Sequence, residues 1–158
     1  MKVFRLTLMA ATALMVTLVS CEKPVPIDDE TQGHVEVTYH SIEGCWKLTH
    51  LNGAVLHDDT ELFIEFSNIV TKDDTELHRY KLLDNIGSMY PRLTTGLYTI
   101  TKQGEEYILS GSYDNGVGDW NEEYHIVMPS HSKMQWRSAT GTCLEFKFSM
   151  DTPEDFNK

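Results

Sequence analysis

Hydrophobic and polar residues alternate along most of the chain after residue 42. A period of two is typical of strands with one buried face, and no stretch there sustains the 3.6-residue period of an amphipathic helix. Gly, Asn and Asp turn signals separate the runs about every 10 to 15 residues. The pattern predicts an all-β fold with eight antiparallel strands, at residues 45–51, 61–67, 77–83, 94–101, 107–113, 122–128, 133–137 and 143–150.

Eight successive strands joined by hairpins can close into an up-and-down barrel or split into a sandwich. The cysteines favour closure, because Cys45 and Cys143 both have outward parity on the first and last strands. Those strands are neighbours in a closed meander, so the two sulfurs would share the outer wall. A disulfide between Cys45 and Cys143 is therefore a hypothesis, since bridged Cβ atoms lie about 3.8 Å apart.

The first twenty residues follow a different pattern. Lys2 and Arg5 precede an uncharged apolar run over 6–19, which is too short for a transmembrane helix and typical of a signal peptide. The run ends in LVSC, with Cys21 last, which is the form that a lipoprotein signal peptidase accepts. We therefore predict a signal peptide over 1–20, with a signal helix, and acyl chains such as palmitate on Cys21 that anchor the protein to a membrane.

Residues 21–41 contain two prolines, an acidic run and little apolar periodicity, which predicts a flexible tether. The acidic run is either a surface-export signal or a solvated linker. A barrel over 42–150 and a C-terminal tail over 151–158 complete the predicted organisation. The net charge of −11 disfavours nucleic acid as a partner, because Lys and Arg neutralise phosphate.

Inward-facing aromatic residues are the candidate chemistry of the barrel. An eight-stranded barrel is either filled by its own side chains or holds one small ligand, and the residue list is compatible with both. Aromatic walls with a few hydroxyl groups suit an apolar or amphipathic molecule. The candidate ligand-binding residues are Trp46, Tyr80, Tyr98, Tyr124 and Trp136.

Other chemistries have weak signals in the sequence. The histidines show no helical i, i+4 pairing and no H-E-x-x-H motif, so we predict no metal site. Asp114, Asn115 and Asp119 could hold calcium loosely, although Asp-Asn-Gly is also a hairpin turn signal. There is no G-x-S-x-G elbow and no glycine-rich phosphate loop, so we expect neither an enzyme nor a cofactor.

Four motifs resemble the lipocalin-like domain of small lipoproteins of Gram-negative bacteria. They are GCW at 44–46, FIEF at 63–66, TGLYTI at 95–100, and LSGSYDNG at 109–116 followed by Trp120. The chain departs from true lipocalins in lacking a T-D-Y motif between the sixth and seventh strands. The resemblance implies an eight-stranded lipocalin-like barrel far more firmly than it implies a ligand.

Together these patterns predict a membrane-anchored, lipocalin-like lipoprotein that binds a small hydrophobic or amphipathic ligand in the cell envelope. The expected location is the outer membrane, on its periplasmic face or at the cell surface. The alternative is a non-catalytic interaction module with a packed barrel that binds an envelope protein or a polymer through its loops. The loop over 84–92, with Met89, Tyr90 and Pro91, is the candidate surface for that role.

Overall fold

A computed structural model of the chain describes residues 34–57 and 59–157. Eight long strands and two strands of two residues make one antiparallel sheet. The strands are β1 (Gly44–Leu51), β2 (Ala54–Val55), β3 (Leu62–Val70), β4 (Glu76–Asp84), β5 (Arg92–Gln103), β6 (Glu106–Tyr113), β7 (Gly118–Asp119), β8 (Tyr124–Ser130), β9 (Lys133–Ser138) and β10 (Cys143–Ser149). Short 3₁₀ helices span Asp114–Gly116 and Glu154–Asn157.

The eight long strands close into a barrel, as the sequence predicts. Each pairs with the next along the chain, and β10 returns to pair with β1, with Trp46 opposite Phe148 and Leu48 opposite Phe146. Closure leaves no long strand with an unpaired edge, which removes a template for aggregation. The short strands β2 and β7 are hairpin extensions on β1 and β6 that the alternation did not predict.

Alternate side chains of the strands fill the barrel interior. On β1 and β3 the inward residues Trp46, Leu48, Ile64 and Phe66 are all buried in one core cluster. The period of two puts the polar residues between them on the outer wall. The parity that the sequence predicts for these strands is therefore confirmed.

The predicted disulfide does not form in this structure. Cys45 lies opposite Ser149 in the β1–β10 register. Cys143 lies at the other end of the pair, where its amide donates to the Asn52 side-chain oxygen over 2.8 Å. At about 3.3 Å per residue the two cysteines are separated by roughly 20 Å of strand. The outward parity of the two cysteines agreed with the closing pair of β1 and β10. Parity does not, however, determine the position of a residue along a strand.

Residues 34–43 close one end of the barrel. The Val35 amide donates to the Met128 carbonyl over 2.9 Å, and Val37 and Ile42 are buried in the core. The Ile42 carbonyl accepts the indole N–H of Trp46 over 2.8 Å. The prediction of a tether through residue 41 is therefore wrong for residues 34–41, whose few apolar side chains pack without strand periodicity. Residues 1–33, which include the predicted signal helix and Cys21, lie outside the described residues.

The C-terminal tail is also packed. Phe156 forms a second, outer-wall cluster with Cys45, Phe63 and Leu83. The Lys81 ammonium donates to the Phe156 carbonyl over 2.6 Å. This cover explains why the outward position Phe63 is apolar on an otherwise polar face.

Antiparallel pairing sends successive connections to opposite ends of the barrel. The end that we call the mouth carries the connections 52–61, 85–91, 114–123 and 139–142. The opposite, closed end carries residues 34–43 and the turns at 71–75, 104–105 and 131–132. Within the described residues, no helix is both long and apolar enough to cross a membrane.

Candidate functional site

The barrel holds a cavity of about 420 Å³ at its mouth, which we call the cup. Pockets for small ligands have volumes of about 300–1,000 Å³, so the cup falls within that range. Most of its walls are apolar and come from the mouth ends of the strands. The lining residues are Leu62, Ile64, Leu82, Tyr113, Trp120, Asn121, Glu122, Tyr124, Trp136, Leu144 and Phe146.

Aromatic rings make one continuous side of the cup. The Trp120 and Trp136 rings are stacked, with centroids 6.1 Å apart and planes 29° apart. Tyr124 lies against Trp136 at 5.3 Å between centroids, and Phe146 lies against the same indole at 4.7 Å. Such rings offer a large contact area whose faces attract both apolar groups and cations.

Trp120 is held by a glycine on the neighbouring strand. Its amide donates to the Gly111 carbonyl over 2.7 Å. A Cβ atom at Gly111 would lie 2.4 Å from Cε2 of the Trp120 ring, closer than real Cβ atoms approach other atoms. The indole N–H of Trp120 donates to the Tyr80 hydroxyl over 2.8 Å. Only a glycine therefore lets the indole lie flat over β6 and form a wall of the cup.

The indole N–H of Trp136 is a buried donor beside the cup. The side chain is 5 % exposed, and no acceptor for Nε1 exists among the described residues. A buried polar group without a partner costs about 1–3 kcal/mol. Most buried groups avoid that cost, so its persistence here marks this wall as an unusual part of the interior.

The polar residues of the cup lie at its rim. Glu122 accepts a hydrogen bond from the Thr140 hydroxyl over 2.5 Å, and Thr140 also contacts the Ser138 hydroxyl at 2.8 Å. Burial raises the pKa of Tyr124, and the nearby charges of Glu122 and Tyr113 act in the same direction. The tyrosine hydroxyl therefore stays protonated and able to donate at neutral pH.

The five predicted ligand-binding residues fall into three groups. Tyr124 and Trp136 line the cup. Tyr80 lies behind Trp120, and its pKa is raised chiefly by burial. Trp46 and Tyr98 are buried in the core and do not line the cup, so the structure does not place them in the candidate site.

Tyr98 packs toward the closed end. Its ring lies 4.7 Å from Phe66 and 5.6 Å from Tyr39, measured between centroids. Its hydroxyl donates to the Asn68 side-chain oxygen over 3.2 Å, and burial raises the pKa of Tyr98 well above its usual range. Inward parity is shared by residues at both ends of a strand, so alternation alone could not separate these tyrosines.

Sequence reasoning missed Trp120 and Glu122 as site residues. Both belong to the connection 114–123. Trp120 lies between two predicted strands, and Glu122 is the first residue of the strand predicted at 122–128. The signal that could have found Trp120 is its place just after a hairpin whose facing strand carries a glycine among larger residues. Glu122 had no distinguishing signal.

No group of three or more His, Cys, Asp or Glu side chains arranged to hold a metal ion occurs in the described part of the chain. Among the residues considered for a calcium site, the Asp114 carboxylate accepts hydrogen bonds from the Arg79 guanidinium and, over 2.6 Å, from the Thr95 hydroxyl.

Comparisons of the chain with protein-family models, with curated proteins and with solved structures gave no match.

Proposed function

We propose that the protein is a lipid-anchored barrel of the cell envelope that binds a small hydrophobic or amphipathic molecule in its cup. The observation that carries the proposal is the aromatic-lined cavity of about 420 Å³ at the mouth of a barrel whose other end is filled. Apolar walls with a few polar groups at the rim are the usual chemistry of small-molecule sites.

The lipid anchor and the envelope location rest on the sequence. The apolar run before Cys21 supports lipidation there, and the outer membrane is the location we infer. The motifs that resemble lipocalin-like lipoproteins support the same assignment. Binding without catalysis is part of the proposal, as is the absence of any required cofactor.

Titration with N-phenyl-1-naphthylamine, a neutral dye that brightens in apolar surroundings, tests ligand binding. We expect saturable binding at one site. Leu82→Trp places a large ring in the cup and should lower the dye affinity at least tenfold. Val127→Trp is the matched control, because Val127 lies on β8 and is 41 % exposed, and its affinity should equal that of the parent.

The melting temperature of each variant separates a filled cup from an unfolded barrel. Equal dye binding by folded Leu82→Trp and by the parent would place the dye elsewhere and overturn the assignment of the cup. A parent protein that binds no dye and no apolar ligand would do the same.

One observation favours a second candidate function, interaction through the mouth loops. Met89 and Tyr90, on the connection 85–91, are 92 % and 77 % exposed. Exposed apolar loop tips are typical of surfaces that contact another molecule. Replacing both residues with Ser should abolish capture of an envelope protein or polymer by the protein while leaving dye binding unchanged, if the loops carry this role.

A further inference from the structure

The cup contains one ionisable carboxylate that has no cationic partner. Among the lining residues Glu122 is the only acid, and none is Lys, Arg or His. Its contact in the structure is the neutral hydroxyl of Thr140. No ion pair of the described residues includes Glu122. Its negative charge therefore remains available at the rim.

The connections that surround the mouth strengthen this negative field. Their described residues contain six carboxylates and neither Lys nor Arg. The six are Asp59, Glu61, Asp114, Asp119, Glu122 and Glu123. Glu61 and Asp114 pair with Lys47 and Arg79 of the barrel wall, and Asp59 contacts the His57 ring nitrogen over 3.0 Å. A cleft bordered by one sign of charge attracts ligands of the opposite sign and repels those of the same sign.

The aromatic wall suits the same ligand charge. The faces of Trp and Tyr rings are electron-rich and attract a cation within about 6 Å of the ring centre. Three aromatic rings pack against one another on one side of the cup, those of Trp120, Trp136 and Tyr124. Glu122 belongs to the same lining, two residues from Trp120 and two from Tyr124 along the chain. An ammonium group at the rim would therefore meet ring faces and a carboxylate together.

From these three observations we infer that the cup binds a cationic amphiphile, with an organic ammonium group at Glu122 and an apolar part against the inner walls. The inference rests on the proposed function and names the ligand class of that site. A fatty acid would bring a carboxylate toward Glu122 and the acidic connections. Like charges repel, so the cup should bind a fatty acid less tightly than the cationic amphiphile.

Three ligands with the same ten-carbon chain test the head-group preference. They are decyltrimethylammonium, decanol and decanoate, measured by displacement of N-phenyl-1-naphthylamine at low salt without detergent. The cation should bind at least about tenfold more tightly than decanoate, with decanol between them, because ring faces and one carboxylate both favour the ammonium. Added salt should narrow the difference, since it screens exposed charges.

Glu122→Gln keeps the shape of the side chain and its hydrogen bond to Thr140 but removes the charge. This substitution should reduce the difference in affinity between decyltrimethylammonium and decanoate to about threefold or less. The affinity for decanol should not change. Glu123→Gln is the matched control, because it removes the same charge from the adjacent, exposed residue outside the lining. It should leave most of the preference in place.

The outcomes distinguish this inference from the proposed function. If decanol and the dye bind but decanoate binds as tightly as the cation, the ligand class is wrong and the apolar cup stands. If the preference survives Glu122→Gln undiminished, the assignment of the ammonium to Glu122 is wrong. If neither the dye nor any of the three ligands binds, the proposed function fails with the inference.

Discussion

The closed end and the mouth of this barrel are built from the same strands but differ in what fills them. At the closed end Trp46, Met128 and Met134 are wholly buried, and Ile42 of the N-terminal segment packs among them. At the mouth the lining of the cup includes partly buried leucines and the indole of Trp120. The interior of an eight-stranded barrel is just wide enough for side chains to fill it. A short covering segment at one end is therefore enough to make one half a core and leave the other half a pocket.

This difference separates the roles of residues that look alike in sequence. Tyr98 and Tyr124 are both inward tyrosines, yet Tyr98 donates within the core and Tyr124 lines the cup. Stability should depend chiefly on the closed end, because filled, close-packed regions lose most when a side chain is shortened. Ligand affinity should depend chiefly on the mouth.

The largest expected effect comes from shortening one leucine in the packed core and one in the lining of the cup. Leu48→Ala removes a 2 % exposed side chain from the core, outside the lining of the cup, and we expect a loss of about 2–5 kcal/mol in the free energy of unfolding. Leu82→Ala enlarges a cavity that already exists, so its cost should be about 1–2 kcal/mol. Urea denaturation followed by tryptophan fluorescence measures both values. Equal losses for the two variants would contradict the division into a filled and an unfilled half.

Dye binding gives a second comparison of the variants Leu48→Ala and Leu82→Ala. Leu82→Ala should change the affinity for N-phenyl-1-naphthylamine, because Leu82 lines the cup. Leu48→Ala should leave the affinity of the folded protein unchanged. A loss of dye binding on Leu48→Ala, at a urea concentration where the protein is folded, would mean that the two halves are not independent.

The alternation of apolar residues predicted the barrel well, for a physical reason. All eight predicted strands agree with the eight long observed strands to within three residues at each end. A period-two pattern follows directly from burial of one face of a strand. Strand number and the avoidance of open edges allowed a barrel or a sandwich, and the outward parity of Cys45 and Cys143 favoured the closing pair of strands.

The site could be predicted only in part, because it depends on position along the barrel axis. Parity placed Trp46, Tyr98 and Trp136 inside, and all three are inside. Their depth depends on residues 34–43, which have no strand or helix periodicity and whose buried side chains Val37 and Ile42 join the core. The placement of Trp120 depends on a glycine of another strand, which is a tertiary contact and leaves no local pattern.

A smaller effect is expected from Gly111→Ala, which acts only at the mouth. The added Cβ would lie 2.4 Å from the Trp120 ring, so the indole must move out of the cup wall. We expect a stability loss of about 1–3 kcal/mol and weaker dye binding. In a Trp120→Ala background the same substitution meets no ring, so most of its cost should vanish. A double-mutant cycle by urea denaturation measures this coupling, and additive effects of the two changes would mean that Gly111 is not required for the placement of Trp120.

The smallest effect on stability comes from Cys45, whose reactivity is a local probe of the outer wall beneath the C-terminal tail. Burial, aided by the charge of Glu65, raises the pKa of the Cys45 thiol from 9.0 to about 11. The thiolate is the reactive form, so iodoacetamide at pH 8 should modify Cys45 at least about a hundredfold more slowly than an exposed cysteine. Val55→Cys supplies that comparison at the mouth, where Val55 is 75 % exposed, and peptide mass mapping assigns each modified site. Because the thiol of the unfolded chain ionises first, its contribution to stability falls as the pH rises from about 9 toward 11. Rapid modification of Cys45 at pH 8 in the folded protein would show that Phe156 does not cover this part of the wall.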